Sequence, residues 1–295
     1  MKVCIIIFSL LSLFTFFLFG IDKWKAVRHK WRISEATLLF FSFFGGIGGF
    51  AAMLLFRHKT RKWKFRILVP LFAVLDAAVI VFLLWTADYY QAGEKALSAM
   101  QSDQLVSVDA TATGWLFDGP SENEALIFYP GAKVDEKAYA PLLRELAEGQ
   151  MDVYLVKMPL HLAIFGMNAA GSVVREGGYD RYYIGGHSLG GAMAASYAAA
   201  HEEQINGVIL LASYPTKATN LDTILIYGSE DGVLNMDRVE NAEKLVSGAY
   251  EAYCMEGGNH AQFGDYGYQA GDGEATISAK EQWDLTCDEI IRFIG

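Results

Sequence analysis

From Cys4 to Ile21 the chain is almost unbroken Ile, Leu and Phe, and no other stretch restricts its fold as much. As a helix the run extends roughly 27 Å, close to the thickness of a hydrocarbon core. A membrane helix over 4–21 is expected rather than a cleaved signal peptide, because no A-x-A-like site follows and further apolar segments come next. A second apolar stretch covers 36–56 and contains Gly45, Gly46, Gly48 and Gly49, and a third covers 67–86. Small residues at that spacing let helices approach closely in lipid, but four glycines equally suit a broken or re-entrant segment. Residues 1–90 therefore read as an all-α membrane domain with two or three transmembrane helices.

Two strongly basic loops, 23–32 and 57–66, separate these stretches. Lys and Arg collect on the cytoplasmic side, yet three full spans would put the loops on opposite sides. Either one loop breaks the rule or the second segment does not span. With the loop before the third helix in the cytoplasm, everything after that helix lies on the extracytoplasmic side. The lipid bilayer, with its anionic headgroups, is the expected partner of the loops, and not nucleic acid. Asp76 sits mid-way along the third stretch, where an ionised carboxylate costs about 2.5 to 3.5 kcal/mol. A protonated or hydrogen-bonded Asp76 facing Ser42 or another helix is preferred over a proton or ion site. The motifs D-K-W-K-A from Asp22, R-I-S-E-A-T-L-L from Arg32, the Gly-rich segment and R-H-K-T-R-K from Arg57 resemble a small bacterial membrane-domain family of unknown function, domain of unknown function 1294. The resemblance implies a membrane domain and no activity.

The charge then reverses. Up to Gly93 there are 12 Lys and Arg against 4 Asp and Glu, and from Glu94 onward 12 against 30. Two physically different bodies are implied, with a short amphipathic helix or tether over 91–105. Cys4, Cys254 and Cys287 give neither a disulfide framework nor zinc-ligand spacing. Buried free thiols are expected, with a Cys254–Cys287 pair open only if the acidic half is exported.

The acidic half, 106–295, alternates strand and helix patterns. An edge hairpin over Val106 to Phe117 precedes strands at Ala125–Pro130, Asp152–Lys157, Tyr182–Gly186, Gly207–Ala212, Thr223–Tyr227 and Ala249–Met255. Helices are expected at Asp135–Glu148, after Ser188, at Asp237–Val246 and at Ser278–Ile294. That order implies an α/β fold with a doubly wound, mostly parallel sheet, whose functional residues stand at the carboxyl ends of the strands.

In Y-Y-I-G-G-H-S-L-G-G, Gly186 and Gly190 bracket Ser188 in the G-x-S-x-G pattern of a nucleophile elbow. Asp231 follows the strand at Thr223–Tyr227, with Glu230 beside it as a competing acid, and His260 follows the strand at Ala249–Met255. The order Ser188, Asp231, His260 suits a triad, and His260 is the only histidine after Asp231. G-G-H-S-L-G-G, G-S-E-D-G-V and G-G-N-H-A-Q-F-G resemble the α/β-hydrolase superfamily, in its compact branch near the dienelactone hydrolases. The resemblance implies a membrane-anchored serine hydrolase that uses Ser188, Asp231 and His260 and needs no cofactor or metal. The oxyanion would sit between the backbone N–H groups of Leu189 and Ala132, with Gly131 as the fallback. Pro130 stands where many members carry a His. The connection 213–222 is too short for a helical lid, so an open pocket walled by 132–139, 158–168 and Tyr214 is expected, with His161 as a wall residue. A small or medium carboxylic ester or thioester fits that pocket. Two other readings remain: a non-enzymatic membrane-anchored binding or sensing protein, and an accessory domain of a transport component.

Overall fold

The computed structural model describes residues 2–121, 123–149 and 151–295, and the chain divides into two compact units, Met1–Asp88 and Tyr89–Gly295. The first contains α1 (Lys2–Val27), α2 (Glu35–Phe44), α3 (Gly46–Leu55) and α4 (Trp63–Ala87). Two stretches, Cys4–Val27 and Trp63–Ala87, are long and apolar enough to cross a membrane.

The second apolar stretch is two short helices rather than one. It breaks at Gly45, whose φ of −145° and ψ of 45° are not helical. A Cβ on Gly48 would lie 1.8 Å from Ser12 O, and one on Gly46 would lie 2.5 Å from the Ala73 backbone nitrogen. The backbones of α1 and α4 therefore close on the break from two sides, and only glycine leaves them room. Backbone groups freed in an apolar setting need partners. Asp76 Oδ2 accepts from Gly46 N–H at 2.6 Å, and Ser12 Oγ accepts from Gly48 N–H at 3.1 Å. Asp76 thus caps α3. Of the two expected partners, another helix is the one found; the Ser42 hydroxyl donates to Leu38 O in its own helix.

The other ends of α2 and α3 lie side by side. Glu35, the first residue of α2, pairs with Lys59 and Lys62, which follow α3. Asp22, near the end of α1, lies 2.7 Å from His58 Nε2, 3.1 Å from Arg32 Nη2 and 3.6 Å from Lys59 Nζ. α2 and α3 therefore form a helical hairpin with its turn at Gly45, and both basic loops meet at one end of the unit.

In the second unit, an eight-stranded sheet runs in the order β1-β2-β4-β3-β5-β6-β7-β8. β1 (Ser107–Ala110) and β2 (Gly114–Asp118) form the antiparallel edge. β3 (Glu124–Tyr129), β4 (Asp152–Val156), β5 (Arg181–His187), β6 (Gly207–Leu211), β7 (Thr223–Gly228) and β8 (Tyr250–Met255) are parallel. Alternate residues of one strand enter opposite cores, as the two-residue period requires. Leu126 and Phe128 pack with Leu142, Leu146, Trp283 and Ile290 from α6 (Ala140–Gly149) and α10 (Ala279–Ile294). Ala125, Ile127 and Tyr129 pack on the other face with Val173 of α7 (Ala170–Glu176) and Ala194 of α8 (Leu189–Ala198). Burial on both faces explains why these strands read as continuous apolar runs.

Of the two readings of 91–105, the short helix is the one found: α5 (Glu94–Ala99) buries Ala96, whose N–H donates to Asp265 Oδ2 at 2.9 Å. Two expectations need correction. The helix expected at 237–246 is α9 (Met236–Glu240) followed by a separate 3-10 turn, Ala242–Leu245. All three cysteines are free, but Cys254 is exposed, and only Cys287 is buried. Burial pushes the Cys287 thiol well above its ordinary range.

Candidate active site

β5 runs into Ser188, which has φ 53° and ψ −122°. A non-glycine residue there is strained, by about 1 to 3 kcal/mol, and the surroundings hold it in place. Ser188 N–H donates to Leu211 O at 2.9 Å, and Ser213 Oγ donates to Ser188 O at 2.8 Å. The flanking glycines are set by contact. A Cβ on Gly186 would stand 2.5 Å from Tyr129 O, and one on Gly190 would stand 2.2 Å from the same oxygen. The turn is thus pressed against the end of β3, and α8 begins at Leu189 with first-turn N–H groups that have no helical partner.

The loops after β7 and β8 bring Asp231 and His260 together. His260 Nδ1 lies 2.8 Å from Asp231 Oδ2 and 3.1 Å from Oδ1, with both side chains about 1% exposed. Asp231 Oδ1 also accepts from Val233 N–H and Leu234 N–H, at 2.9 and 2.8 Å, which fixes the carboxylate's direction. The neighbouring Glu230 instead takes the Ser229 hydroxyl at 3.1 Å. His260 Nε2 is buried and makes no hydrogen bond among the described residues. His260 and Ser188 line one cavity of about 240 Å³, together with Leu189, Ala192, Tyr214 and Leu234. His260 is its only titratable lining group besides Tyr214.

Two neighbours were not legible as site residues. His187 is fully buried, its ring 4.4 Å from that of His260 and its Nδ1 2.8 Å from Tyr139 Oη. Burial, and then the proximity of His260, hold its pKa well below the usual histidine value, so His187 stays neutral. Asp272 accepts N–H bonds from Gly232, His260 and Ala261, tying the Asp231 loop to the His260 loop. Its only sequence signal was an acid in a Gly-rich stretch.

The expected oxyanion donors separate. Gly131 N–H donates to Tyr139 Oη at 3.0 Å, which removes it as the fallback. Leu189 lines the cavity with Ser188, whereas Ala132 does not; its N–H has no hydrogen-bond partner among the described residues. The expected walls also change. Residues 158–161 line a different cavity, of about 640 Å³, with 110–115, and Val233, Leu234 and Asn235 take their place beside Ser188. His161 therefore lines that other cavity and not the one at Ser188; its ring is stacked on Tyr89 at 3.7 Å between centroids, with Nδ1 3.5 Å from Glu136.

Comparison with known proteins agrees with this architecture. A profile described as the alpha/beta hydrolase family matches residues 125–284. Residues 12–65 match one described as a protein of unknown function (DUF1294). The uncharacterized protein YsdA of Bacillus subtilis is 46% identical over 72 residues, 24% of this chain and 81% of that protein. Among solved structures, a dienelactone hydrolase from Anabaena variabilis aligns with a TM-score of 0.51 at 12% identity, over 64% of this chain and 99% of its own. Naproxen esterase from Bacillus subtilis aligns at 0.49 and 13%, over 72% and 97%. At such identities the likeness to the dienelactone hydrolase speaks for the fold alone. With more than half its length matched by the profile, the chain belongs to the alpha/beta hydrolase family.

Proposed function

We propose that this chain is a membrane-anchored serine hydrolase that cleaves a small or medium carboxylic ester or thioester through an acyl-enzyme on Ser188. The observation that carries the reading is His260. A buried carboxylate holds its Nδ1, while its Nε2 has no partner among the described residues at the cavity it shares with Ser188. In the proposed reaction His260 Nε2 takes the proton from Ser188 Oγ as Oγ attacks the acyl carbon. Asp231 fixes the tautomer and stabilises the imidazolium. His260 then protonates the leaving group, and the same path run with water frees the acid. His187 supports this by staying neutral, so no second positive charge opposes the imidazolium.

The oxyanion is assigned to Leu189 N–H, at the start of α8; Ala132 N–H, outside the lining of this cavity but without a hydrogen-bond partner among the described residues, is the candidate second donor. Each such donor contributes about 2.7 to 4 kcal/mol to the transition state. A cavity of about 240 Å³ with no carboxylate or Lys/Arg in its lining suits a short, uncharged acyl group. A panel of p-nitrophenyl esters from acetate to decanoate, with full-length protein in neutral detergent, tests this. Turnover should fall beyond medium chain length and vanish in Ser188→Ala; turnover undiminished in that variant would refute the assignment.

α1 and α4 are proposed as the two spans, with the α2–α3 hairpin entering and leaving on one side. That arrangement lets both basic loops be cytoplasmic, and α4 then leads the hydrolase unit outside. Single cysteines at positions 30 and 62, in a cysteine-free background, should resist an impermeant maleimide in intact cells and react after lysis. Labelling of only one of them in intact cells would contradict the hairpin.

A further inference from the structure

We propose that the first unit binds a phosphate group, that of an anionic phospholipid headgroup, in the cationic cavity where its two basic loops meet. The cavity is about 610 Å³ and is lined by Lys23, Arg32, Arg57, Lys59, Arg61 and Lys62, with His58 beside them and no Asp or Glu. Six lysines and arginines facing one space repel one another, so the arrangement needs something to hold it. Asp22 does this from behind. Its side chain is wholly buried, and it pairs with Arg32, His58 and Lys59 at 3.1, 2.7 and 3.6 Å.

Glu35 takes up Lys59 and Lys62. No carboxylate among the described residues pairs with Lys23, Arg57 or Arg61, so three positive charges remain for a ligand. The loop is also held in an unusual shape, with Arg57 at φ 44° and Lys59 at φ 60°, a conformation that non-glycine residues keep only when their surroundings enforce it. Guanidinium groups match phosphate oxygens in pairs, which suits a phosphodiester.

The setting favours a lipid as the source of the phosphate. Trp31 is 92% exposed and Trp63 68% exposed, and they lie on the same two loops. Tryptophans so placed mark the level of the headgroups. Thr60, Ala26 and Val27 complete the lining, and the last two give the glycerol end of a lipid an apolar contact. The site is independent of the chemistry proposed at Ser188.

Tryptophan quenching of the full-length protein, in neutral detergent carrying brominated phosphatidylglycerol or brominated phosphatidylcholine, tests the proposal. The anionic lipid should half-quench at a concentration at least about tenfold lower, the gain expected from one charge-assisted contact. The variant Lys23→Gln/Arg57→Gln/Arg61→Gln, which spares the Asp22 cluster, should abolish that preference. Lys25→Gln/Lys64→Gln/Arg66→Gln removes equal charge outside the cavity and should keep most of it, with both variants unfolding at the native temperature. Millimolar inorganic phosphate should relieve the quenching. Equal quenching by the two lipids, or equal loss in the two variants, overturns the proposal. Binding of inorganic phosphate with no lipid preference assigns the site to a soluble anion, and binding of a short RNA in place of the lipid assigns it to nucleic acid; both overturn the lipid claim.

Discussion

Asp272 offers a test of how the site is assembled, because one carboxylate joins the two loops that carry Asp231 and His260. Its Oδ1 accepts N–H bonds from Gly232, His260 and Gly273 at 3.1, 3.2 and 2.9 Å, and its Oδ2 accepts from Ala261 at 2.8 Å. In Asp272→Ala, water can replace the carboxylate at Gly232, which is exposed, and Gly273 is its own neighbour in the chain. The bonds to His260 and Ala261 are partly buried. At about 1.5 to 3 kcal/mol for each bond to a charged group, reduced for partial exposure, their loss should cost about 2 to 3 kcal/mol. For a unit of this size that corresponds to a melting temperature lower by roughly 5 to 10 °C. The activity effect is separate. If the His260 loop shifts by about 1 Å relative to Ser188, the rate of Ser188 acylation should fall about 10- to 100-fold. Asp272→Asn keeps one acceptor oxygen and should fall between. The assay is ester turnover measured well below the melting temperature of every variant, where kcat should drop with KM little changed. Asp272→Ala with kcat within threefold of the native enzyme would refute the positioning role, and an unchanged melting temperature would refute the hydrogen-bond accounting.

Gly190→Ala should abolish turnover and lower stability, because the new Cβ would stand 2.2 Å from Tyr129 O and 2.4 Å from Pro130 O, both backbone atoms that cannot swing aside; thermal unfolding and turnover together check this. Burial, followed by the proximity of Asp284, raises the Glu145 carboxyl to about 7. A carboxyl raised above its unfolded value contributes stability below about pH 4.5 that is lost as pH rises through about 7, so Glu145→Gln should be the more stable protein at pH 8 and not at pH 4. The side chain is partly exposed, so the gain should be only about 1 kcal/mol, read from denaturant midpoints at the two pH values. In the first unit, Asp76→Leu strips the acceptor from Gly46 N–H and should lower unfolding resistance in neutral detergent by about 1 to 3 kcal/mol, whereas Asp76→Asn should largely restore it.

What the sequence disclosed follows from how local each feature is. The parallel strands were legible because burial on both faces demands unbroken apolar runs, as in A-L-I-F-Y, and the elbow because three backbone contacts admit only glycine at fixed offsets from Ser188. Asp231 and His260 could be placed because strand ends in a parallel sheet converge in a known order. Asp272 and His187 could not. Each acts through a contact made across long sequence separation, His187 with Tyr139 and Gly232 with Asp272, and neither leaves a periodic trace. The pocket walls were misplaced for a similar reason: which loop folds over Ser188 depends on the path of 232–235, not on how apolar 158–168 is. In the first unit the glycines showed that the second stretch was weak as a helix, but not which way the chain turned. The direction came from the pairing of Glu35 with Lys59 and Lys62, which brings the two basic loops to one end of the unit.

The central claim is that Ser188 is a nucleophile activated by His260. Intact-mass spectrometry of the full-length protein after treatment with a fluorophosphonate tests it most directly. One adduct should form, map to Ser188, and be lost in Ser188→Ala and slowed by at least about a thousandfold in His260→Ala. An adduct at another residue, no adduct at all, or labelling that survives in His260→Ala at the native rate would contradict it.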